Sequence, residues 1–440
     1  MQYIPNIIFL LLLVAAIGLF ARNIRRMVRN VKLGKEEDLS DNKPQRWGNM
    51  ARIALGQSKM VVRPIAGLMH ILVYLGFIII NIEILEIVID GILGTHRIFA
   101  PMGVVYDLLI GLFEILALLV IVAVVVFWIR RNILRLGRFI KPEMKGWPKK
   151  DADLILYIEI VLMFLFLTMN GADFQLQKME VMPYVQAGWF PVSQLFSVMF
   201  TDLSAGTLIL IERGAWWLHI IGVLSFLNYL YYSKHLHIIL AFPNTFYGSL
   251  KPKGEFDNLE SVTREVKLMM DPTADPYAAP AEGAIPEKFG ASDVMDLKWI
   301  QLLNAYTCTE CGRCTSECPA NQTGKLLSPR KIMMDTRDRL EEVGRNITKN
   351  KGTFQDDGKQ LLDHYIKREE LWACTSCNAC TEACPISIDP LSIIMDMRRY
   401  LVMEQSAAPQ ELNVMMTNIE NNGAPWPFNQ MDRANWADEM

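Results

Sequence analysis

All eight cysteines of this 440-residue chain fall into two copies of one pattern. Each copy reads C-x2-C-x2-C-x3-C-P. The first copy consists of Cys308, Cys311, Cys314, Cys318 and Pro319, and the second of Cys374, Cys377, Cys380, Cys384 and Pro385. With this spacing, three thiolates of one copy bind one cubane cluster while the fourth binds the neighbouring cluster. The sequence therefore predicts two [4Fe-4S] clusters and one-electron chemistry.

Zinc and disulfide bonds are the alternatives for a cysteine-rich segment. Zinc ribbons use paired C-x2-C motifs without a third and fourth cysteine, and disulfides need an oxidising compartment. With the fourth ligands exchanged, the first cluster is assigned to Cys308, Cys311, Cys314 and Cys384. The second cluster is assigned to Cys374, Cys377, Cys380 and Cys318. The two motifs therefore form one folding unit.

The segment between the two motifs is expected to be helical. PRKIMMDTRDRLEEV (329–343) and KQLLDHYIKREELWA (359–373) place apolar residues at helical spacing and contain few strand formers. Pro319 and Pro385 lack an N–H group and have a fixed φ, so they are expected to turn the chain away from the clusters. The cluster domain is therefore predicted to be all-α.

The N-terminal half contains apolar runs at residues 4–21, 64–89, 104–129, 153–170 and 214–239. A helix needs about 20 residues to cross a hydrocarbon core of about 30 Å. The first run could be a signal peptide, but it has no basic residue before it and a dense basic block after it, the reverse of a signal peptide. We therefore predict a bundle of five transmembrane helices with the N-terminus outside the cell.

The distribution of Lys and Arg predicts the orientation of the bundle. Residues 22–63 carry eleven and residues 130–150 carry eight, whereas residues 90–103 carry one and residues 171–213 carry two. The positive-inside rule then places both basic loops and the iron-sulfur domain in the cytoplasm, where thiolates stay reduced. Segment 171–213 is expected to lie along the outer membrane surface as short, partly buried helices. Because the basic loops are ordinary topology signals, no nucleic-acid partner is inferred.

Four segments follow from these patterns. Residues 1–240 form the membrane domain, and residues 241–295, rich in Pro, Glu, Asp and Ala, form a linker or belt. Residues 296–404 form the two-cluster helical domain, and residues 405–440 form a tail. The predicted fold class is thus all-α: a five-helix transmembrane bundle followed by a cytoplasmic ferredoxin-like domain.

Four histidines lie in or beside the apolar runs. His70 lies near the cytoplasmic start of the second run, His219 near the outer start of the fifth, and His235 and His237 near its inner end. His219 and His237 are eighteen residues apart, about 27 Å of helix, so they are expected to share one face, and His235 is expected to point the other way. Such a face suits two stacked b-type haems, with His70 facing His237. The alternative for each is a buried, hydrogen-bonded histidine.

GLMHILVYLGFIIINIEI (67–84) and WWLHIIGVLSFLNYLYYSKHLHIILAFPN (216–244) resemble two related proteins. These are the gamma subunit of respiratory nitrate reductase and the cytochrome b subunit of membrane-bound heterodisulfide reductase. In that family, histidines of the second and fifth helices hold two haems b. The resemblance implies His70 and His237 as ligands of the cytoplasmic haem and His219 as a ligand of the outer one.

The resemblance leaves the second ligand of the outer haem open. The family places it on the second helix, ten residues after the first ligand, where this chain has Ile80. Either the outer haem is missing, or another group completes it, such as His96 folding back from the loop after the second span. One haem is therefore the minimum that the sequence predicts, and two is the family expectation.

CTECGRCTSECPANQTGKLLSPRKI (308–332) and NIENNGAPWPFNQMDRANWA (418–437) resemble the iron-sulfur subunit of the same heterodisulfide reductase, fused behind its membrane partner. In the fuller family this tail leads into cysteine-rich CCG domains. This chain has no further cysteine, so the CCG domain is expected on a separate subunit that binds the tail.

The resemblance implies an oxidoreductase subunit of a respiratory chain in the cell membrane. Electrons would pass between a cytoplasmic donor, the partner subunit, the two clusters, haem b and a quinone, such as menaquinone. The implied donors are electron-transfer flavoprotein or a subunit that oxidises thiols or hydroxy acids. The alternatives are a redox-regulated ion or proton transporter and a redox sensor.

Carboxylates occur along the outer half of the second span and on its neighbours. Glu83, Glu86 and Asp90 follow one another at helical spacing, and Glu114 and Glu159 lie on neighbouring spans. Quinone reduction consumes protons, which Glu83 is a candidate to supply. The alternative is that Glu86 and Asp90 are interfacial and that Glu114 pairs with a polar neighbour.

Overall fold

The computed structural model describes residues 3–252, 254–273 and 288–438. These residues form helices and turns, with two isolated β-bridges and no β-strand among them. Five helices are long and apolar enough to cross a membrane, and the cysteine-bearing helical domain follows them. The predicted all-α fold, with five spans followed by a helical domain, is confirmed.

The five spans are Ile4–Val31, Pro64–Leu93, Val104–Ile133, Trp147–Lys178 and Ala205–Tyr232. The first, second and fourth have a proline in their first turn, where the missing N–H group removes no helical hydrogen bond. The hydroxyl of Ser204 caps the fifth by accepting from the Thr207 N–H. The second span packs on the third, the third on the fourth and the fourth on the fifth, while the first lies against the second and fifth.

The end of the bundle against which the cysteine-bearing domain packs is called the domain side, and the opposite end the far side. On the far side the fourth span continues to Lys178 and the fifth begins at Ala205, so the predicted surface segment is shorter than expected, at residues 179–204. It contains the expected short helices, at Ser193–Phe196 and Ser197–Phe200.

The fifth span is shorter than the predicted run 214–239, and that prediction is wrong in its second half. The α-helix ends at Tyr229, and a new helix starts at His237. Between them are two 3-10 turns, Leu230–Tyr232 and Lys234–Leu236. His219 and His237 therefore do not lie on one continuous helical face.

A contact with the fourth span stabilises this break in the helix. Ser233, between the two turns, is extended with φ −116° and ψ 147°. The carboxylate of Asp151, on the fourth span, accepts the N–H of Lys234 at 3.2 Å and the hydroxyl proton of Tyr229. Backbone and side-chain groups that a continuous helix would satisfy internally are thus satisfied by the neighbouring span.

The cysteine-bearing domain packs short helices around one longer helix, Pro329–Lys349, which confirms the helix predicted at 329–343. Segment 359–373 forms two short helices, Leu361–His364 and Arg368–Trp372, and the first of them is kinked at Asp363, which has a φ of 70°. The apolar core of the domain continues into the domain side of the bundle, where it includes Met27 and Val31 of the first span and Leu236 and Leu240 after the fifth. Domain and bundle therefore share one core.

The segment predicted as a linker or belt is described in part. Helix Glu260–Met270 lies within it, whereas most of DPTADPYAAPAEGAIPEKF (271–289) lies outside the described residues. In the tail, helix Gln410–Asn422 is followed by turns with exposed aromatic side chains. These are Trp426, Phe428 and Trp436.

Candidate functional site

Four cysteines from the two motifs line one cavity. Its walls include Cys308, Cys311 and Cys314 of the first motif and Cys384 of the second. Helices Arg313–Glu317 and Ala379–Ala383 pack against each other, which carries the last cysteine of the second motif to the first. This is the exchanged grouping that the cysteine spacing predicts for the first cluster.

The other four cysteines come together in the same way. Burial raises the pKa of the Cys374 thiol, and the neighbouring Cys318 and Cys377 raise it further. Cys374 in turn contributes to the raised pKa of Cys380. Cys374 therefore lies near Cys318, the last cysteine of the first motif, as well as near Cys377 and Cys380 of its own motif.

The burial of the cysteines couples the binding of iron to the loss of their thiol protons. Burial raises the pKa of Cys308 and Cys380 to about 12 and that of Cys384 to about 11. Buried thiolates need a positive partner, which iron supplies, so cluster binding and thiol deprotonation are coupled. Backbone N–H groups also donate to the sulfurs, as from Ile388 to Cys384 Sγ at 3.3 Å. Such hydrogen bonds are one of the means by which proteins tune cluster potentials.

His70 and His237 face each other at the domain side of the bundle. Their ring centroids are 6.4 Å apart. Metal–imidazole bonds of about 2.0 Å on both sides of one ion would separate the ring centres by about 6 Å. His237 Nδ1 donates to the Lys234 carbonyl at 3.1 Å, which leaves Nε2 for a metal, and His70 Nδ1 is buried without a hydrogen-bond partner. The pair therefore fits the axial ligands of one haem.

His235 lies beside this pair, and the prediction that it points away is wrong. Its ring is 5.4 Å from that of His237 and perpendicular to it. Its Nε2 is 3.5 Å from Glu159 Oε1. The break at Ser233 causes this arrangement, because it removes the helical register that would separate the two rings. Glu159 therefore belongs with the domain-side histidines and not with the far-side carboxylates.

The histidines considered for an outer haem are far apart. His219 Nδ1 is hydrogen-bonded to the carbonyl of Leu162 at 3.0 Å, whereas His96 Nε2 lies 3.8 Å from Asp173. Leu162 and Asp173 are eleven residues apart on the fourth span, about 16 Å along a helix axis. His96 and His219 therefore cannot bind opposite faces of one iron. Ile80, at the position of the family's ligand, is buried in the apolar core.

A buried arginine organises the far side of the bundle. Arg97, in the loop after the second span, donates to Asp173 at 2.5 Å, to the Tyr106 hydroxyl at 2.9 Å and to Asn170 at 3.0 Å. Its guanidinium also lies over the Phe190 ring. The sequence alone identifies Arg97 as a charged residue in a loop and does not reveal that its side chain is buried.

Most far-side carboxylates are satisfied by protein groups. Glu86 accepts from the Phe99 N–H and the Tyr106 hydroxyl, both at 2.9 Å. Glu114 accepts from Asn170 and from the N–H groups of Val192 and Ser193. These hydrogen bonds support a structural role for both residues. Asp90 likewise accepts from backbone N–H groups of the following loop.

Glu83 differs from these carboxylates. It is 2% exposed, and its Oε2 atom has no hydrogen-bond partner. A cavity of about 910 Å³ on the far side is lined by His96, Arg97, Tyr184 and Arg213, among others. Because Arg97 both lines this cavity and donates to Asp173, the cavity lies beside the buried carboxylates of the far side.

Replacing Arg97 with methionine is expected to destabilise the bundle by about 3–5 kcal/mol, because Asp173 would keep a buried charge without its partner. Thermal unfolding of the protein in lipid nanodiscs would measure the loss. The matched control is Lys178→Met, which removes an exposed far-side cation and should change stability by about 0.5 kcal/mol or less. Equal losses in the two variants would contradict a special role for Arg97.

Five apolar spans are thus followed by a helical domain that carries eight cysteines in two motifs. Residues 307–388 match the family described as 4Fe-4S dicluster domain. This match confirms the prediction of iron-sulfur clusters.

The chain is similar over most of its length to two bacterial proteins. It is 28% identical to the probable iron-sulfur-binding oxidoreductase FadF of Bacillus subtilis, over 98% of this chain and 61% of that protein. It is 26% identical to the EtfAB:quinone oxidoreductase of Syntrophomonas wolfei, over 91% of this chain and 55% of that protein. The chain thus spans a little over half the length of these curated relatives.

A third relative matches a shorter part of the chain. The chain is 30% identical to a subunit of the ferredoxin:CoB-CoM heterodisulfide reductase of Methanosarcina mazei, over 27% of this chain and 59% of that protein. The predicted resemblance to heterodisulfide reductase iron-sulfur proteins is confirmed, and the relatives are iron-sulfur oxidoreductases. No solved structure matches the chain.

Proposed function

We propose that this protein is a membrane-bound electron-transfer subunit that links a soluble cytoplasmic donor to the quinone pool through two [4Fe-4S] clusters and one haem b. The observation that carries the proposal is the His70–His237 pair, which is spaced for one iron and lies on the side of the bundle that shares its core with the cysteine-bearing domain. A route for electrons from the clusters into the membrane would begin there.

The proposed quinone, electron donor and partner subunit are supported by the similar proteins and by the tail at residues 405–440. Similarity to a protein named EtfAB:quinone oxidoreductase extends over 91% of the chain and supports a quinone, such as menaquinone, as acceptor. The same name supports electron-transfer flavoprotein as donor. A separate CCG-domain iron-sulfur subunit would bind residues 405–440, where exposed aromatic side chains offer a contact surface. The Lys and Arg counts support a cytoplasmic iron-sulfur domain and a far side that faces outward.

The haem would supply the one-electron step between the clusters and the quinone. His70 and His237 would hold it, and the Lys234 carbonyl would orient the His237 ring through Nδ1. A single haem is proposed because His219 lacks a histidine partner at bonding distance. An ion-transport role is less favoured, since Glu86, Asp90 and Glu114 are engaged with protein donors.

Reconstitution would test this function. Purified protein in lipid nanodiscs would be reduced anaerobically with dithionite, and a short-chain menaquinone would then be added in excess over the remaining reductant. We expect the absorption of the reduced haem to decay as quinol forms. A protein without a b-type spectrum, or a reduced haem that the quinone leaves unchanged, would contradict the proposal.

Glu83 is proposed to take up and release a proton at Oε2 during quinone reduction. Glu83→Gln is expected to slow reoxidation of the haem by quinone by about two orders of magnitude, the usual scale of acid–base catalysis. Stopped-flow absorbance would measure the rate, and the haem spectrum should be unchanged. Asp90→Asn, which keeps an oxygen for the loop N–H groups, is the control. Equal rates for Glu83→Gln and the native protein would remove Glu83 from the mechanism.

A further inference from the structure

We infer that the two clusters act in series, with the first cluster next to the haem and the second at the surface where a soluble electron-carrying protein docks. The first cluster is that of Cys308, Cys311, Cys314 and Cys384, and the second is that of Cys318, Cys374, Cys377 and Cys380. The inference rests on the proposed function, because it takes the haem between His70 and His237 as given.

One residue joins the haem ligand to the loop of the first cluster. The carbonyl of Lys234 accepts from His237 Nδ1, and the ammonium group of Lys234 forms an ion pair with Glu310. Glu310 lies between Cys308 and Cys311 in the sequence. The Glu310 carboxylate also accepts a hydrogen bond from Arg337 at 2.9 Å. The ion pair therefore ties the turn before His237 to the first cluster.

A second connection runs to the helix that carries His70. Arg313, which precedes Cys314, is 5% exposed and donates to the carbonyls of Lys59 and Met60 at 2.9 and 3.2 Å. The Lys59 ammonium donates to the carbonyl of Cys384 at 3.3 Å. Residues 59–60 thus contact cysteine loops of both motifs. They contact Cys384, which lines the first cavity, and Arg313, which lies between two residues that line it, Gly312 and Cys314.

The backbone just before His70 completes this connection. A Cβ atom at Gly67 would lie 2.7 Å from the Met60 carbonyl oxygen, so only glycine allows this approach. Gly67 is one helical turn before His70. On the same side of the bundle, Arg330, which also lines the first cavity, donates to the Arg138 carbonyl at 2.6 Å. The loops that would hold the first cluster therefore pack against the membrane loops beside both haem ligands.

The second cluster faces the opposite way. Among the eight cysteines, Cys377 is the one that is exposed. Arg398 donates to the carbonyls of Leu371 and Cys374 and lies over the Trp372 ring at 5.0 Å, contacts that remain inside the domain. A protein that approaches from solvent would therefore meet the second cluster first.

The proposed order of the two clusters and the haem is compatible with a balanced reduction of quinone. A soluble flavin- or iron-sulfur protein would give up one electron at the second set of cysteines, and the first cluster and the haem, held by their cysteines and by His70 and His237, would carry it to the quinone. Two such transfers and two protons convert one quinone to quinol, and the donor is oxidised by two electrons in total.

Two matched arginine variants test the order without a donor protein. Arg313→Gln removes a positive charge beside the first cluster and His70, so it should lower the midpoint potentials of the first cluster and the haem. Arg398→Gln removes a positive charge beside Cys374, so it should lower the potential of the second cluster and leave the haem unchanged. Redox titration followed by electron paramagnetic resonance for the clusters and by absorbance for the haem gives both readouts.

Two further variants guard against misfolding. Arg313→Lys keeps the charge and should restore native potentials, whereas Glu310→Gln removes a negative charge and should shift the first cluster and the haem upward. A haem potential that follows Arg398→Gln, or that ignores both Arg313→Gln and Glu310→Gln, would overturn the order. A native protein without haem would instead overturn the proposed function.

Discussion

Replacing either His70 or His237 with alanine is expected to abolish the b-type haem and to uncouple reduction of the clusters from reduction of quinone. The two rings, 6.4 Å apart, are the pair that fits one iron, and loss of either imidazole leaves the iron one axial bond. A pyridine haemochrome assay, expressed per chain, would fall from a single haem to none. The reduced-minus-oxidised spectrum would lose its low-spin b-type bands.

The controls for this prediction are the other membrane histidines. His219→Ala and His96→Ala should leave the haem content unchanged, because the two side chains contact points of the fourth span that lie about 16 Å apart. His235→Ala should also retain the haem, since its Nε2 faces Glu159. Two haems in the native protein, with one lost in His219→Ala, would contradict the single-haem proposal.

The sequence was sufficient to predict features that depend on local spacing. The five spans follow from apolar runs, and the period of the apolar residues at 329–343 predicts the helix that the structure shows at Pro329–Lys349. Even the meeting of Cys384 with the first motif, across some seventy residues, could be predicted, because the C-x3-C-P spacing is specific to exchanged ligands. Such features are encoded in short stretches of the chain.

The break in the fifth span could not be predicted in the same way. The residues around Ser233, YYSKHLH (231–237), include a lysine and two histidines, but they contain no glycine or proline that would signal the end of a helix. The break depends on Asp151, about eighty residues earlier, which accepts the Lys234 N–H and the Tyr229 hydroxyl proton. The break determines how the histidines are arranged. It brings His235 beside His237, and it removes the alignment of His237 with His219 that one continuous helix would give.

The position of Arg97 illustrates a second limit. On the far side, a single basic residue in a short loop is consistent with the positive-inside rule whether its side chain points outward or inward. Its burial follows from three partners on two other spans, Asp173, Asn170 and Tyr106. The relative register of spans, which sets those contacts, has no local sequence signal.

Replacing Cys318 with serine is expected to damage the second cluster, although Cys318 belongs to the first motif. The native protein should hold about eight iron atoms and eight acid-labile sulfides beyond the haem iron, four of each per cubane. Cys318 lies with Cys374 and Cys377, so its loss leaves that cubane with three thiolate ligands. Iron and sulfide should fall toward four of each, with the resonance of the second cluster lost or altered.

The reciprocal variant, Cys384→Ser, should damage the first cluster instead, because Cys384 lines the cavity of Cys308, Cys311 and Cys314. The haem spectrum should persist in both variants. If the order of the centres is correct, the two losses differ in a second way. Without the first cluster the haem is separated from the second cluster, whereas without the second cluster the first remains in contact with the haem. Damage by Cys318→Ser confined to the first cluster would show that the fourth ligands are not exchanged.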